Sequence, residues 1–353
     1  MCEIIFRPAR RRIVHALAAL TVLALPFALC AHAQSSKDAA ARAQATALFA
    51  KALAASDIRA PGSPPFEMRA TIIVAQRFGK PATGAYSLKW ASPEKWREEI
   101  HFANYTRIRI GEGNRYWQSR TTSYELEQLL QLSQGLDFLK DLHVWSKPEA
   151  IADMKAVKLH QEKPRGTKLD CVTLIRKEQE YGSDFCFDPV RGVLVRDGPG
   201  SSTVFSGFIS FAGKLFPGNI GTDDESAARV TFAVNSILPL ANTGPDDFQP
   251  ADGSSPWPYC DDPDAVPKST MQPGPVYPIS EKLSHTQGTV FAYAVIGADG
   301  RLHSLQVLTS PDSGLANSAL TAFEQWQYIP EMCHGTPVPV ETLLKAIFTL
   351  GAY

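Results

Sequence analysis

The sequence lacks the spacings that mark the commonest catalytic sites. It has no His-Glu-x-x-His, no Gly-x-Ser-x-Gly and no glycine-rich dinucleotide fingerprint, so neither a zinc-activated water nor a nucleophile elbow nor a pyrophosphate cradle is signalled. Segment 207–214 approaches a phosphate loop, but five residues separate Gly207 from Gly213, and Leu215 stands where Ser or Thr would hold magnesium. It reads as a strand and turn. Histidines 101, 143, 160, 285, 303 and 334 are scattered, and no Cys-x-x-Cys pair exists, which argues against a zinc ribbon or a thioredoxin-like motif. The acidic group Asp261, Asp262 and Asp264 lies among prolines and reads as a solvated charge run. Basic charge is also missing. Beyond residue 33 the chain carries 31 Lys and Arg against 35 Asp and Glu, leaving no footprint for nucleic acid. These absences point to binding rather than catalysis, with no cofactor or metal expected.

What the chain does have begins at its N-terminus. Arg7, Arg10, Arg11 and Arg12 precede an apolar run from Ile13 to Cys30, which ends in Ala31-His32-Ala33. That layout is a secretory signal peptide with cleavage after Ala33, and the exported chain is expected in the periplasm or cell envelope. At about 18 residues the run is also at the short end for a spanning helix, so an inner-membrane anchor over 13–30 is the alternative. Lipidation at Cys30 is disfavoured because Leu29, a large residue, precedes it.

Four cysteines remain beyond that segment, Cys171, Cys186, Cys260 and Cys333, and an even set in an oxidising compartment implies two disulfides. Strand-like runs at 168–176 and 183–188 flank a polar turn with Cys171 and Cys186 equidistant from its centre. They should face each other across a hairpin. Cys260 is left to pair with Cys333.

Beyond the leader, about 320 residues exceed one ordinary core and imply two domains. Residues 239–278 hold ten of the 26 prolines, so 239–271 reads as a semi-extended linker between domains at 34–238 and 272–353. The first domain should open with an amphipathic helix over 38–55, with Leu48, Phe49, Ala52 and Leu53 on one face. Short β-like runs follow at 66–76, 83–90, 96–102, 106–110 and 115–119, then a helical stretch at 123–142. Further strands are expected at 168–175, 183–187, 192–196, 203–211 and 229–238. The fold class is therefore α+β, with one curved antiparallel sheet covered by helices. Trp90, Trp96, Phe102 and Trp117 read as core aromatics.

Within that domain, Pro93-Glu94-Lys95-Trp96-Arg97, a strand entering the Gly111 to Gly113 turn, and Tyr116-Trp117 resemble the LolA-like half-barrel family over residues 40–235. The resemblance implies an open barrel with a helical lid over an apolar concavity, and hence a lipid-like ligand or a lipid or lipoprotein carrier role.

The last segment is more explicit. Apolar 290–296, the turn Ala298-Asp299-Gly300, and 301–309 form a hairpin. A helix is expected from the Ser310 to Gly314 region to about Trp326, with Leu315, Ala319, Leu320, Phe323 and Trp326 on one face, and Pro330 prevents its continuation. A final strand is expected at 338–350. Tyr277-Pro278, Gln287-Gly288, Val290, Asp299-Gly300, Val307-Leu308, Ser310, Leu315, Ala319-Leu320, Trp326, Pro330 and Gly335 with Pro337-Val338 closely resemble the C-terminal domain of the TonB family over 272–353. The resemblance implies a small ββαβ domain that captures an extended segment of an outer-membrane transporter by strand addition. By position the implied edge comprises Val338, Val340 and Thr342, with the approach segment Pro275, Val276, Tyr277 and Pro278 beside it. Gln287, Gly288, Asp299, Gly300, Trp326, Pro330 and Gly335 are expected to shape the domain.

The chain departs from that family in two respects. Energy transducers keep an anchor with a Ser-x-x-x-His arrangement, whereas 13–30 holds no serine and only His15 at its start. A folded domain also stands where they place a Pro- and Lys-rich spacer. The leading expectation is an exported partner-binding protein, with a membrane-anchored energy transducer as the alternative.

Overall fold

The computed structural model describes residues 25–75, 80–113, 115–177, 182–198, 202–223, 229–241, 243–244, 246–258, 260, 263 and 265–350. The chain divides into a unit of residues 1–41 and a unit of residues 42–353. In the first, helix α1 (Leu25–Ser56) begins; the predicted signal segment lies outside the described residues up to position 24. Among the described residues no helix is long and apolar enough to cross a membrane.

The second unit is built on strands β1 (Phe66–Val74), β2 (Ala82–Ser92), β3 (Lys95–Phe102), β4 (Tyr105–Glu112) and β5 (Arg115–Arg120). Helices α2 (Glu127–Leu136), α3 (Phe138–Trp145) and α4 (Pro148–Ala152) follow, then β6 (Ala156–Glu162), β7 (Leu169–Ile175), β8 (Ser183–Phe187), β9 (Leu194–Asp197) and β10 (Ser202–Ser206). A hairpin of β11 (Ile209–Phe211) and β12 (Lys214–Phe216) precedes β13 (Asn219–Asp223) and β14 (Val230–Pro239). These strands, the hairpin excepted, join one antiparallel sheet of 13 strands ordered β15-β5-β4-β3-β2-β1-β14-β13-β10-β9-β8-β7-β6, in which β15 is Ser255–Pro258.

Alternation decides which face is buried. In β1, Phe66, Met68, Ala70, Ile72 and Val74 are buried while the residues between are more exposed, the period-2 pattern of a sheet with one wet face. The α1 residues Ala45, Phe49 and Ala52 lie at 0% exposure, and the Phe49 ring meets Phe185 and Phe187 edge-on at 5.1 and 5.2 Å. Phe66 stacks on Trp90, and Phe138 of α3 packs on Phe205. The α+β expectation with a curved antiparallel sheet is met. The single helix expected over 123–142 is broken at Asp137 into α2 and α3. The strand expected over 203–211 ends at Gly207, whose φ of +61° an extended strand does not accommodate.

The Pro-rich segment 239–271 is more ordered than a semi-extended linker. Its β15 pairs with β5, Pro256 opposite Trp117, and β16 (Lys268–Met271) pairs with β19 (Gln327–Ile329). Proline tolerates this because β15 is the end strand, where a missing N–H breaks no ladder on the outer side. Asp261, Asp262 and Asp264 lie outside the described residues.

The C-terminal part contains α5 (Ile279–Leu283), β17 (Gly288–Ile296), β18 (Leu302–Thr309), α6 (Ser313–Phe323), β20 (Glu331–Cys333), β21 (Thr336–Val338) and β22 (Val340–Phe348). Its sheet runs β18-β17-β22. Asp312 caps α6 by accepting from the Gly314 N–H at 2.6 Å. Val290, Ala292, Ala294, Leu344, Ala346 and Phe348 pack with Leu315, Ala319 and Phe323 of α6.

Candidate functional site

The strand β22 occupies one end of the C-terminal sheet. It pairs antiparallel with β17 from Gly288↔Phe348 to Ile296↔Val340, and among the described residues no second strand joins its outer side. An end strand presents unpaired N–H and C=O groups in a row, a template for another extended chain. Val340 and Thr342 lie on this strand as expected.

Val338 does not. It belongs to β21, which pairs with β20 in a separate hairpin, Glu331↔Val338, and it is buried. Pro339 separates the two strands, since its fixed φ and missing N–H interrupt the ladder. The approach segment is also divided. Val276 lies along α6, its carbonyl accepting from the Ser318 hydroxyl, and it is 80% exposed. Tyr277 turns toward β22, its ring edge-on to Phe348 at 5.4 Å and its hydroxyl donating to the Thr286 carbonyl at 2.6 Å. Pro275 and Pro278 carry no strand pairing. A groove between this segment and α6 is lined by Val276, Pro278, Glu281, Ser318 and Ala322.

The residues expected to shape the domain stand at its turns. The Gln287 side chain accepts from the Leu350 N–H at 2.7 Å, closing the end of β22. Gly288 sits where a Cβ would lie 2.6 Å from Pro311. Asp299 accepts from the Arg301 N–H, and Gly300 has φ +73° beside the Tyr328 carbonyl, where a Cβ would stand 2.0 Å away. Trp326 donates to the Pro273 carbonyl at 3.0 Å and packs edge-on to Phe323. Pro330 separates β19 from β20, and Gly335 forms the β20–β21 turn with φ +77°.

Sequence reasoning missed the opposite face of the sheet. Tyr293 and Val295 of β17 are buried against Leu130 of α2, with Tyr124, Trp257, Leu308 and Leu343 around them. At the centre of this contact Glu341 of β22 takes Arg120 Nη1 at 2.6 Å, Arg109 Nη2 at 3.0 Å and the Tyr293 hydroxyl at 2.8 Å. Burial works against charge on Arg120, but Glu341 and the Tyr293 hydroxyl beside it together outweigh that and raise its pKa. Lys140 of α3 pairs with Glu331 at 2.5 Å, and the Thr309 hydroxyl donates to Glu127. Burial pushes both Glu127 and Glu331 upward, opposed by those partners. The disulfide Cys260–Cys333 closes the same junction, and Cys171–Cys186 closes the β7–β8 hairpin, both as expected. A signal was available. All residues from Val290 to Ile296 are buried, and such an uninterrupted apolar run marks a strand covered on both faces.

With α6 on one face and the front sheet's helices on the other, the free side of this small sheet is its edge. Residues 273–350 match the family described as Gram-negative bacterial TonB protein C-terminal. The chain is similar to the C-terminal domain of Pseudomonas aeruginosa TonB, at 25% identity over 26% of this chain and 92% of that one, with a TM-score of 0.23. It is also similar to a LolA superfamily protein from Nitrosomonas europaea, at 12% identity over 58% of this chain and 97% of that one, TM-score 0.37. A third similar structure is MucB, at 15% identity over 65% of this chain and 68% of that one, TM-score 0.29. No curated protein matches the chain.

Proposed function

We propose that this chain is an exported cell-envelope protein that binds rather than catalyses, and that its C-terminal domain captures an extended segment of a partner protein along the outer side of β22. The observation carrying the reading is the single pairing of β22 within a sheet whose two faces are already covered. Backbone hydrogen bonds would supply affinity, and the alternate side chains Lys345 and Ile347, the latter 56% exposed, would supply choice. The family match over 273–350 and the arginine-led apolar leader support the envelope setting, with an outer-membrane transporter as the partner class.

The front domain serves in this reading as a platform. The platform role rests on the contacts of Leu130, Arg109 and Arg120 with the C-terminal sheet, and the apolar groove lined by Trp145, Ala150, Met154 and Val266, about 240 Å³, is the place a lipid-like ligand would enter in the carrier alternative.

The test is an isotope-labelled full chain titrated with a synthetic peptide from the periplasmic N-terminal segment of an outer-membrane transporter. Amide shifts concentrated on β22 are expected; shifts confined to β18 or to the front sheet would overturn the reading. The N-terminal mass from the native envelope separates the energy-transducer alternative, which needs a retained anchor, from a chain starting at Gln34.

A further inference from the structure

Four neighbouring strands place His160, Cys171, Cys186 and Arg196 in one row. His160 of β6 is registered with Cys171 of β7, Cys171 with Cys186 of β8, and Cys186 with Arg196 of β9. Directly opposed residues share a face of the sheet, so the row lies on one side. That side is opposite the main core, in a small cluster with Leu169 and Val195. Glu162, two residues after His160 on β6, closes the row: its Oε1 lies 3.5 Å from His160 Nε2 and 2.7 Å from Arg196 Nη2.

Ligand atoms of His160, Glu162 and Cys171 lie within 4.8 Å of one another. Bonds of about 2.0–2.3 Å place the ligands of a tetrahedral zinc roughly 3.3–3.8 Å apart. The spacing is thus within a small rotamer adjustment of a ligand set, and Cys186, bonded to Cys171, stands beside it as a fourth donor. Arg196 already occupies the cationic position, its Nη2 at 3.1 Å from Cys186 Sγ. Its side chain is 30% exposed on a flexible stem, so it can turn out to solvent.

We propose that opening the Cys171–Cys186 disulfide creates a site for a soft divalent cation of the zinc class, with both thiolates, His160 and Glu162 as ligands. The reductant is a dithiol. It supplies two electrons and two protons, the S–S bond breaks, an S–H forms on each cysteine, and the dithiol closes into its own disulfide. The cation then displaces both thiol protons to solvent. The disulfide ties β7 to β8 only, whereas the cation would also hold β6, the terminal strand of the large sheet.

The experiment is a titration of the phosphine-reduced full chain with Co²⁺, read by thiolate-to-cobalt absorption in the near ultraviolet and tetrahedral bands in the visible, then displacement by Zn²⁺. The expected result is one cobalt per chain at this site, lost in Cys171→Ser/Cys186→Ser, which leaves Cys260 and Cys333 as the control. His160→Ala should weaken binding at least about tenfold, and Arg196→Gln should tighten it by removing the competing cation. His160 and Glu162 are half-exposed, so His160→Ala and Glu162→Gln keep the fold testable if the cysteine pair does not. The proposal is overturned if reduced wild type shows no thiolate band, if the band survives in the double serine variant, or if His160→Ala and Glu162→Gln bind as wild type.

Discussion

Individual charges in this protein are held by named partners, and two groups of them predict opposite responses to pH. Arg107, 4% exposed, pairs with Glu98 at 2.7 Å and with Glu125, itself 1% exposed. Burial raises the pKa of both carboxylates, but Arg107 and Arg109 together outweigh it and hold them below the usual range. Their contribution is therefore present above about pH 4.5 and is lost as pH falls further, where the unfolded chain binds the protons first. Glu125→Ala leaves Arg107 undercompensated in the interior and should cost about 3 kcal/mol in urea unfolding at pH 7. Asp197 behaves the other way. Burial raises it to about 7, and Asp141 of α3 is raised by burial and by the charge of Asp197. Between about pH 4 and 7 the folded chain retains a proton that the unfolded chain releases, so stability declines as pH rises through that window. Asp197→Asn should flatten the decline, measured as urea midpoints at pH 5 and pH 8; an unchanged slope would refute the assignment. None of these pairings could be read from sequence, since Glu98 and Glu125 lie 27 positions apart and only folding brings both to Arg107.

Among the elements, strands were legible and their interruptions less so. The run expected at 66–76 appears as β1, because alternation of apolar and polar residues is a local property of a half-buried strand, and those at 96–102 and 183–187 appear as β3 and β8, the latter with Phe185, Cys186 and Phe187 buried in succession. β6, with its Ala-Val-Lys-Leu-His-Gln-Glu sequence, was missed; all its residues are half-buried or exposed, so no clean alternation marks it. The last strand was placed two residues early because Pro339 interrupts an otherwise continuous run. Close packing between strands sets a further test. Gly111 of β4 lies opposite Trp96 of β3, and a Cβ there would stand 2.0 Å from the indole nitrogen. Gly111→Val should therefore destabilise the protein by about 1–3 kcal/mol, seen as a lowered thermal midpoint, through displacement of the Trp96 ring.

At the scale of the molecule, the C-terminal domain is fastened to the front sheet rather than hung from it. Apolar contact at Tyr293, Val295 and Leu130, the Glu341 ion pairs and Cys260–Cys333 act at one junction. Loss of a disulfide spanning 73 positions costs about 4 kcal/mol on the chain-entropy account. Residues 42–353 of the wild type should unfold in one step. Cys260→Ser/Cys333→Ser combined with Glu341→Ala should separate tryptophan fluorescence and far-ultraviolet circular dichroism into non-coincident transitions. Coincident transitions in that variant would show that the apolar contact alone couples the two parts.

The sequence by itself determined most of the strands, the front half of α6 and the C-terminal domain, because alternation, turn glycines such as Gly300 and the Asp312 cap act within a few residues of chain. It also determined both cysteine pairs, one from hairpin symmetry and the other by remainder. The tertiary structure alone decided that β22 has no second strand partner among the described residues and that Glu341 meets Arg109 and Arg120. The Glu341 pairs join residues more than 200 positions apart, and such long-range pairing depends on which buried faces meet, a quantity no local pattern carries.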